Sequence, residues 1–257
     1  MVQVSRRTLL LGSTTTAFAT SLGACVPQQP VGASVGSAAV LANAPPPEAE
    51  VGEQAAVASD EPQVMSRAAY GPVPGERFPV PAAPLSRINP AFLRARVAYA
   101  SRNKPGTIII DPAARYLYFV EEGGSAMRYG VGVGKEGFAW SGTAVIHDKQ
   151  EWPDWYPPKE MIQRRPDLRP QLTDLQSGIG VPGGPANPLG ARAMYLWQGN
   201  KDTLYRIHST NEPWTVGTSV SSGCIRMINQ DAIDLYARTP TGTNVVVLTS
   251  RTIARIG

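Results

Sequence analysis

From residue 107 onward the chain alternates between short runs dense in β-branched and aromatic residues and short runs of turn formers. Thr107–Asp111 and Tyr116–Val120 are two such runs, separated by the turn Asp111-Pro112-Ala113-Ala114 and followed by Glu122-Gly123-Gly124. Met127–Val133, Gly142–His147, Met194–Trp197, Leu204–His208 and Asn244–Thr249 continue the pattern. Runs of this kind, bounded by Gly, Pro, Asn and Asp, predict strands. Three segments predict helices. Asn89 and Pro90 suit an N-cap and a first helical position, and the short helix they open carries Phe92, Leu93 and Val97 toward a core. Pro158–Arg164 is short and begins with proline. Asn229–Arg238 has Asn229 as a cap, Asp231 at the positive end of the dipole, Ile233, Tyr236 and Ala237 on one face, and Thr239-Pro240 as a stop. Many short strands with few helices predict a mainly β fold, a β-sandwich or partly closed barrel, within a domain over 86–252. Residues 148–192 read as a long irregular insertion, and such loops in compact domains are often functional. Its Trp152, Trp155 and Tyr156 either line a cleft or pack the loop down.

The first 85 residues follow a different pattern. Residues 26–85 are rich in Ala, Pro, Gly, Ser and Glu and include Pro45-Pro46-Pro47. Such a stretch buries too little apolar surface to offset its ordering entropy, which predicts a disordered linker. Residues 1–25 have a basic start, an apolar core and small residues before a cut site, as a secretory signal does. Arg6-Arg7 followed by Leu9-Leu10-Leu11 resembles a twin-arginine export signal. Leu22-Gly23-Ala24-Cys25 resembles a bacterial lipoprotein box, which makes Cys25 the candidate lipidation site; the alternative is a cleaved signal with an incidental cysteine. No later segment approaches the roughly eighteen apolar residues of a spanning helix. The expected location is the periplasm, with a lipid tether to a membrane. The absence of Asp at Val26 leans, by lipoprotein sorting rules, to the outer membrane.

Composition adds exclusions. The net charge of +4 comes from 24 basic and 20 acidic residues, and loss of residues 1–25 removes two arginines and leaves +2. That is too weak, and too little clustered, to indicate nucleic acid as a partner. Two histidines without a cluster of cysteines or carboxylates give no metal ligand set, and no cofactor is expected. Two cysteines permit one disulfide at most, and the two are read as having separate jobs.

The candidate chemistry lies between His208 and Met227. Cys224 sits in Ser221-Ser222-Gly223-Cys224-Ile225-Arg226-Met227, sixteen residues after His208 in Arg206-Ile207-His208-Ser209-Thr210-Asn211-Glu212. A thiol needs a nearby base or positive field to act as a nucleophile near neutral pH. His208 ends an apolar strand run, a rigid mount for a general base. Gly223 removes bulk beside the sulfur, and the backbone N–H groups of Gly223 and Cys224 are candidates for an oxyanion hole. Each residue also has an ordinary structural explanation, a small buried hydrophobe for Cys224 and a satisfied core histidine for His208. His147 matches no catalytic pattern and is read as structural.

These two stretches resemble the signature of the L,D-transpeptidase (YkuD-type) catalytic domain: a histidine, a gap, then Ser-His-Gly-Cys-(Ile/Val)-Arg. Thr107–Val120, Gly130–Lys135, Glu151–Pro158 and Gly183–Gly190 resemble further segments of the family, in the same order, over about 150 residues. The resemblance implies peptidoglycan stem peptides as partners, Cys224 as nucleophile, His208 as general base and acid, and the Ser209 backbone carbonyl orienting the imidazole. It places Ser222 and Arg226 at or near the substrate, with a structural ion pair as the alternative for Arg226; Trp214, Asn187 and Gly190 either border the substrate groove or a lid, or serve as plain turn and packing residues. One departure stands out: Ser222 occupies a position where the family often has a second histidine, leaving His208 as the base. The implied reaction is acyl transfer to a second stem peptide, with outer-membrane proteins as alternative acceptors. An L,D-carboxypeptidase or other Cys-His wall hydrolase, and a non-catalytic wall-binding lipoprotein, are the competing expectations.

Overall fold

The strands expected between residues 107 and 249 pair into one large sheet. A computed structural model describes residues 62–134, 140–221 and 223–249. The signal segment with Cys25, the linker up to residue 61, and Ser222 lie outside the described residues. In chain order the strands are β1 (Gln63–Val64), β2 (Ala95–Ala98), β3 (Ile108–Asp111), β4 (Tyr116–Val120), β5 (Ser125–Gly130), β6 (Val133–Gly134) and β7 (Gly142–Glu151). Then come β8 (Thr173–Leu175), β9 (Gly178–Gly180), β10 (Arg192–Gln198), β11 (Lys201–Ser209), β12 (Ser219–Ser221), β13 (Ile225–Met227) and β14 (Asn244–Val247). Two α-helices join them, α1 (Lys159–Arg164) and α2 (Asn229–Arg238). The fold is mainly β with few helices, as expected.

Ten strands form the main sheet in the order β1-β2-β5-β4-β3-β14-β7-β10-β11-β13. The β3–β4 turn is closed by Asp111 Oδ1, which accepts from Ala114 N at 2.9 Å. The Ile108-Ile109-Ile110 run is buried on both faces because successive side chains point to opposite sides of a strand. Ile108 and Ile110 join the larger core with Leu117, Ile146, Leu196, Ile207, Ile225 and Leu235, while Ile109 packs with Tyr99, Val120 and Val246. Within this sheet two pairings are parallel, β14 with β3 and β11 with β13, and β12 pairs with β6 in a separate parallel pair. The β11–β13 pairing builds the site described below.

Three sequence expectations need correction. The helix expected after Asn89 is a single 3-10 turn, Pro90–Phe92; Asn89 Oδ1 does accept from Ala91 N at 3.0 Å, but Val97 lies in β2. In α2, Asn229 does not cap the helix. Its side chain instead bridges Ala191 N and the Thr210 carbonyl; the buried positions are Gln230, Asp231, Ala232 and Leu235, while Ile233 and Tyr236 pack partly buried against the core and Ala237 is exposed. The third concerns the linker. Its last part, from 62 to 85, is packed: Tyr70 and Val80 are buried, and Glu76 pairs with Arg192. Average composition hid a few well-spaced anchors among the prolines. Buried Asp231 receives Tyr70 Oη at 3.3 Å and lies 3.6 Å from Arg94, tying this strap to α2. Burial pushes the Asp231 carboxyl up to about 7, against the pull of Arg94. Among the described residues no helix is long and apolar enough to cross a membrane.

Candidate active site

His208 lies near the end of β11, and β13 runs parallel beside it with His208 opposite Arg226 and Ile207 opposite Ile225. Cys224 directly precedes β13, so the pairing register carries the sulfur's backbone next to the histidine strand. The His208 ring is buried, at 4% exposure. Its Nδ1–H donates to the Ser209 carbonyl at 2.5 Å. A carbonyl only accepts, so the proton resides on Nδ1 and Nε2 keeps the lone pair. Ser209 is itself fixed. It is fully buried, and its Oγ accepts from Arg192 N at 3.0 Å. The Arg192 guanidinium in turn makes a two-pronged bridge to Glu76, 2.7 Å on each side. Burial lowers the His208 pKa to about 4; the Ser209 carbonyl opposes this, and the charges of Arg226 and Arg206 add to it.

Gly223 precedes the thiol with φ +128, a backbone region that favours glycine. A Cβ there would lie 2.9 Å from Tyr205 Cε1, so the aromatic ring packs directly against the glycine. Tyr205 is backed by Trp140, with ring centroids 5.7 Å apart. Cys224 is half-buried and outside any disulfide. Burial pushes its thiol above the ordinary range, while a backbone hydrogen bond from Arg206 and the charges of Arg206 and Arg226 oppose that shift. The Arg206 guanidinium is held by both Asp202 oxygens at 2.8 Å. The resting pair is therefore a neutral thiol and a neutral imidazole.

Both groups line one cavity of about 590 Å³. Its other side comes from the 148–192 insertion, which is more ordered than expected: it holds α1, a 3-10 segment Pro166–Gln171 and the β8–β9 hairpin. Trp155, Met161, Arg164, Arg165 and Leu168 of this flap face the cavity. Hydrogen bonds hold the flap at its base. Trp155 bridges Val181, and Asp154 Oδ1 accepts from Gly183 N at 2.8 Å. Arg226 lines the cavity and lies 3.5 Å from Glu212; burial lowers its pKa, with Glu212 opposing and Arg165 reinforcing.

The structure thus brings together Cys224, His208, Ser209, Gly223 and Arg226, and separates three other expected substrate residues. Asn187 is fully buried, and its Nδ2 donates toward the Pro153, Val181 and Pro182 carbonyls while Oδ1 accepts from Leu189 N. Its amide is spent on holding the flap, not on a ligand. Gly190 has φ +62, and a Cβ would lie 2.6 Å from Ser209 Cβ, so it permits the close approach that supports Ser209. Gly190 and Trp214 line a different, largely apolar cavity of about 380 Å³, where Arg87 covers the Trp214 ring at 3.8 Å. The sequence reading missed Tyr205, Arg206, Glu212, Arg164 and Arg165. Tyr205 and Arg206 had a signal, since they share the strand of His208; the flap arginines had none, because nothing local says where an insertion folds. Trp152 is buried against Phe78, and exposed His147 stacks on Trp197 at 4.1 Å. Among the described residues no group of three His, Cys, Asp or Glu is placed to hold a metal ion.

The YkuD family, described as the L,D-transpeptidase catalytic domain, matches residues 105–247. The probable L,D-transpeptidase YbiS of Escherichia coli (strain K12) is 32% identical over 143 residues, covering 54% of this chain and 43% of that protein. The putative L,D-transpeptidase in the ATP synthase subunits region of Fuscovulum blasticum is 33% identical over 153 residues, covering 58% of this chain and 72% of that protein. Among solved structures, a Brucella melitensis protein described as a probable carnitine operon oxidoreductase is 53% identical, with 63% of this chain and 96% of that chain covered and a TM-score of 0.42. The chain spans less than half the length of the Escherichia coli relatives it matches.

Proposed function

The chain belongs to the L,D-transpeptidase (YkuD) catalytic-domain family, and from that premise we propose that it is a peptidoglycan L,D-transpeptidase with Cys224 as nucleophile and His208 as its base. The observation that carries this is the shared cavity of Cys224 and His208, with the imidazole pinned through Nδ1 to the Ser209 carbonyl. Pinning leaves Nε2 as the one ring atom able to take a proton. Because thiol and imidazole both rest neutral, the proton moves as the sulfur attacks rather than before.

The donor is a stem tetrapeptide. Cys224 Sγ adds to the carbonyl of the amide between the third residue, a diamino acid, and the terminal D-Ala, and its proton passes to His208 Nε2. The backbone N–H groups of Gly223 and Cys224 are the proposed donors to the oxyanion. Collapse breaks the C–N bond, His208 returns the proton to the leaving nitrogen, and D-Ala departs from a thioester. An amine of a second stem peptide gives its proton to His208 and attacks the thioester. A 3→3 cross-link forms, and the sulfur leaves and is reprotonated. A protein amine in the same place would attach that protein to the wall. The exported, periplasmic location and the lipid tether on Cys25 belong to the same proposal.

Incubating the chain with a disaccharide tetrapeptide tests it by mass. A cross-linked dimer with release of D-Ala is expected. Tripeptide alone would make the protein an L,D-carboxypeptidase, and unchanged substrate would reject enzymatic action on this donor.

A further inference from the structure

We propose that Arg164 and Arg165 on the flap form, with Arg226, a subsite for a carboxylate of the donor peptide. The identity of that ligand rests on the function proposed above; the charge pattern does not. Three guanidinium groups line the cavity, Arg164, Arg165 and Arg226, against one carboxylate, Glu212, while His208 and Cys224 are neutral. Like charges share this small space: Arg165 disfavours the charged state of Arg226. An anion bound among them replaces that repulsion with attraction.

The existing partners leave donors over. Arg226 has Glu212 at 3.5 Å, beyond good hydrogen-bond length. Arg165 uses Nε and Nη2 on Asp167, and Nη1 takes no part in that fork. The pair is more than half exposed on both sides and therefore weak. Arg164 donates through Nε to the Glu160 carbonyl at 3.3 Å, and no ion pair of it occurs among the described residues. Planar guanidinium forks match carboxylates in a way ammonium groups do not.

A tetrapeptide donor brings such groups to this place. Its scissile carbonyl must reach Cys224, and the free carboxylate of the terminal D-Ala lies on the leaving side of that bond. A diamino acid that bears a side-chain carboxylate supplies a second source. Either would be held by the flap while Cys224 and His208 act, which makes Arg164 and Arg165 specificity residues and separates their role from the chemistry.

Binding to the full chain carrying Cys224→Ala, measured by calorimetry, tests this without turnover. The probes are a tetrapeptide with both carboxylates free, its C-terminal amide, and its side-chain amide. One amide is expected to bind about tenfold more weakly than the acid, and the amide that loses affinity identifies the source. Adding Arg164→Gln and Arg165→Gln should weaken the acid to the level of that amide, and Arg165→Lys should restore part of the difference. In the active protein the same pair should raise KM and leave kcat within a few-fold, with alkylation of Cys224 by iodoacetamide unchanged. Equal binding of acid and amides, or discrimination that survives the double substitution, overturns the subsite. Discrimination without any turnover by the wild type would instead reject the transpeptidase function and leave the subsite standing.

Discussion

The wall that carries His208 and the flap that faces it are built in different ways. On the wall, β11 and β13 are locked in register, Ile207, Ile225 and Met227 fill the core, and the imidazole and the Ser209 hydroxyl behind it each have a fixed backbone partner. On the flap, the cavity side is a six-residue helix and a 3-10 segment with exposed arginines, and order is concentrated at the base, where Asn187 and Asp154 collect backbone groups. Geometry that must hold to fractions of an ångström rests on strands, and charge that selects a ligand rests on a surface element able to vary. The contrast follows from the energetics: a buried ladder tolerates little displacement, whereas exposed ion pairs contribute little to stability.

If that division is right, substitutions on the wall should stop chemistry and those on the flap should alter binding. Cys224→Ala and His208→Ala should each lower turnover by about a thousandfold or more while the protein stays folded. A carbapenem should add its mass to the wild type and not to Cys224→Ala. Wild-type turnover in His208→Ala at neutral pH would remove the imidazole from the mechanism. Next in size is Gly223→Ala, which forces a side chain into a positive-φ position and against Tyr205; a cost of about 1–3 kcal/mol is expected. Adding Tyr205→Ala should recover the part due to the clash and none of the part due to φ, as read in denaturant midpoints.

The pH dependence separates wall from flap again. His208 has its pKa lowered from 6.5 to about 4 by burial, so the acid limb of turnover should fall near pH 4. The unfolded chain takes up that proton first as pH drops. Folding stability should therefore decline between pH 6.5 and about 4, by up to about 3 kcal/mol, and His208→Gln should flatten this slope. Identical profiles in the two proteins would contradict the buried neutral imidazole. Asn187→Ala deprives the flap base of its shared donor and should cost about 2 kcal/mol in thermal stability, with KM rising more than kcat falls. The smallest effect belongs to Trp214→Ala. Its ring lines the other cavity, so turnover should stay within about twofold, and a tenfold loss would show that the two cavities act together.

The strands were legible where the code is local. The run Tyr116–Val120 matches β4 to the residue; β7, β10 and β11 run past their expected ends because a ladder extends wherever a partner exists, as β7 does to Glu151 opposite Arg192, while β3 and β14 fall one and two residues short. The candidate pair of Cys224 and His208 stands out in the sequence because few other residues could serve, and the two line one cavity. What could not be read was anything set by distant packing. Asp231 reads as a helix-dipole residue and does lie in the first turn of α2, but its burial against Tyr70 and Arg94 had no local signal. Asn187 and Gly190 lie within a segment that resembles the family and Trp214 lies close to another, yet place in sequence did not put them on the cavity of the sulfur. The 62–85 strap was hidden for the same reason, since the partners of Tyr70 and Glu76 on α2 and β10, Asp231 and Arg192, lie more than a hundred residues away.

That strap extends the supporting structure beyond the matched domain. The matched domain begins at residue 105, but Glu76 grips Arg192, whose backbone N–H supports the serine that steadies the histidine. A protein trimmed to the matched domain would keep Cys224 and His208 and lose the brace two steps behind the histidine. Among the described residues before 105, none lines the cavity of Cys224, so the strap acts on His208 only through Arg192 and Ser209.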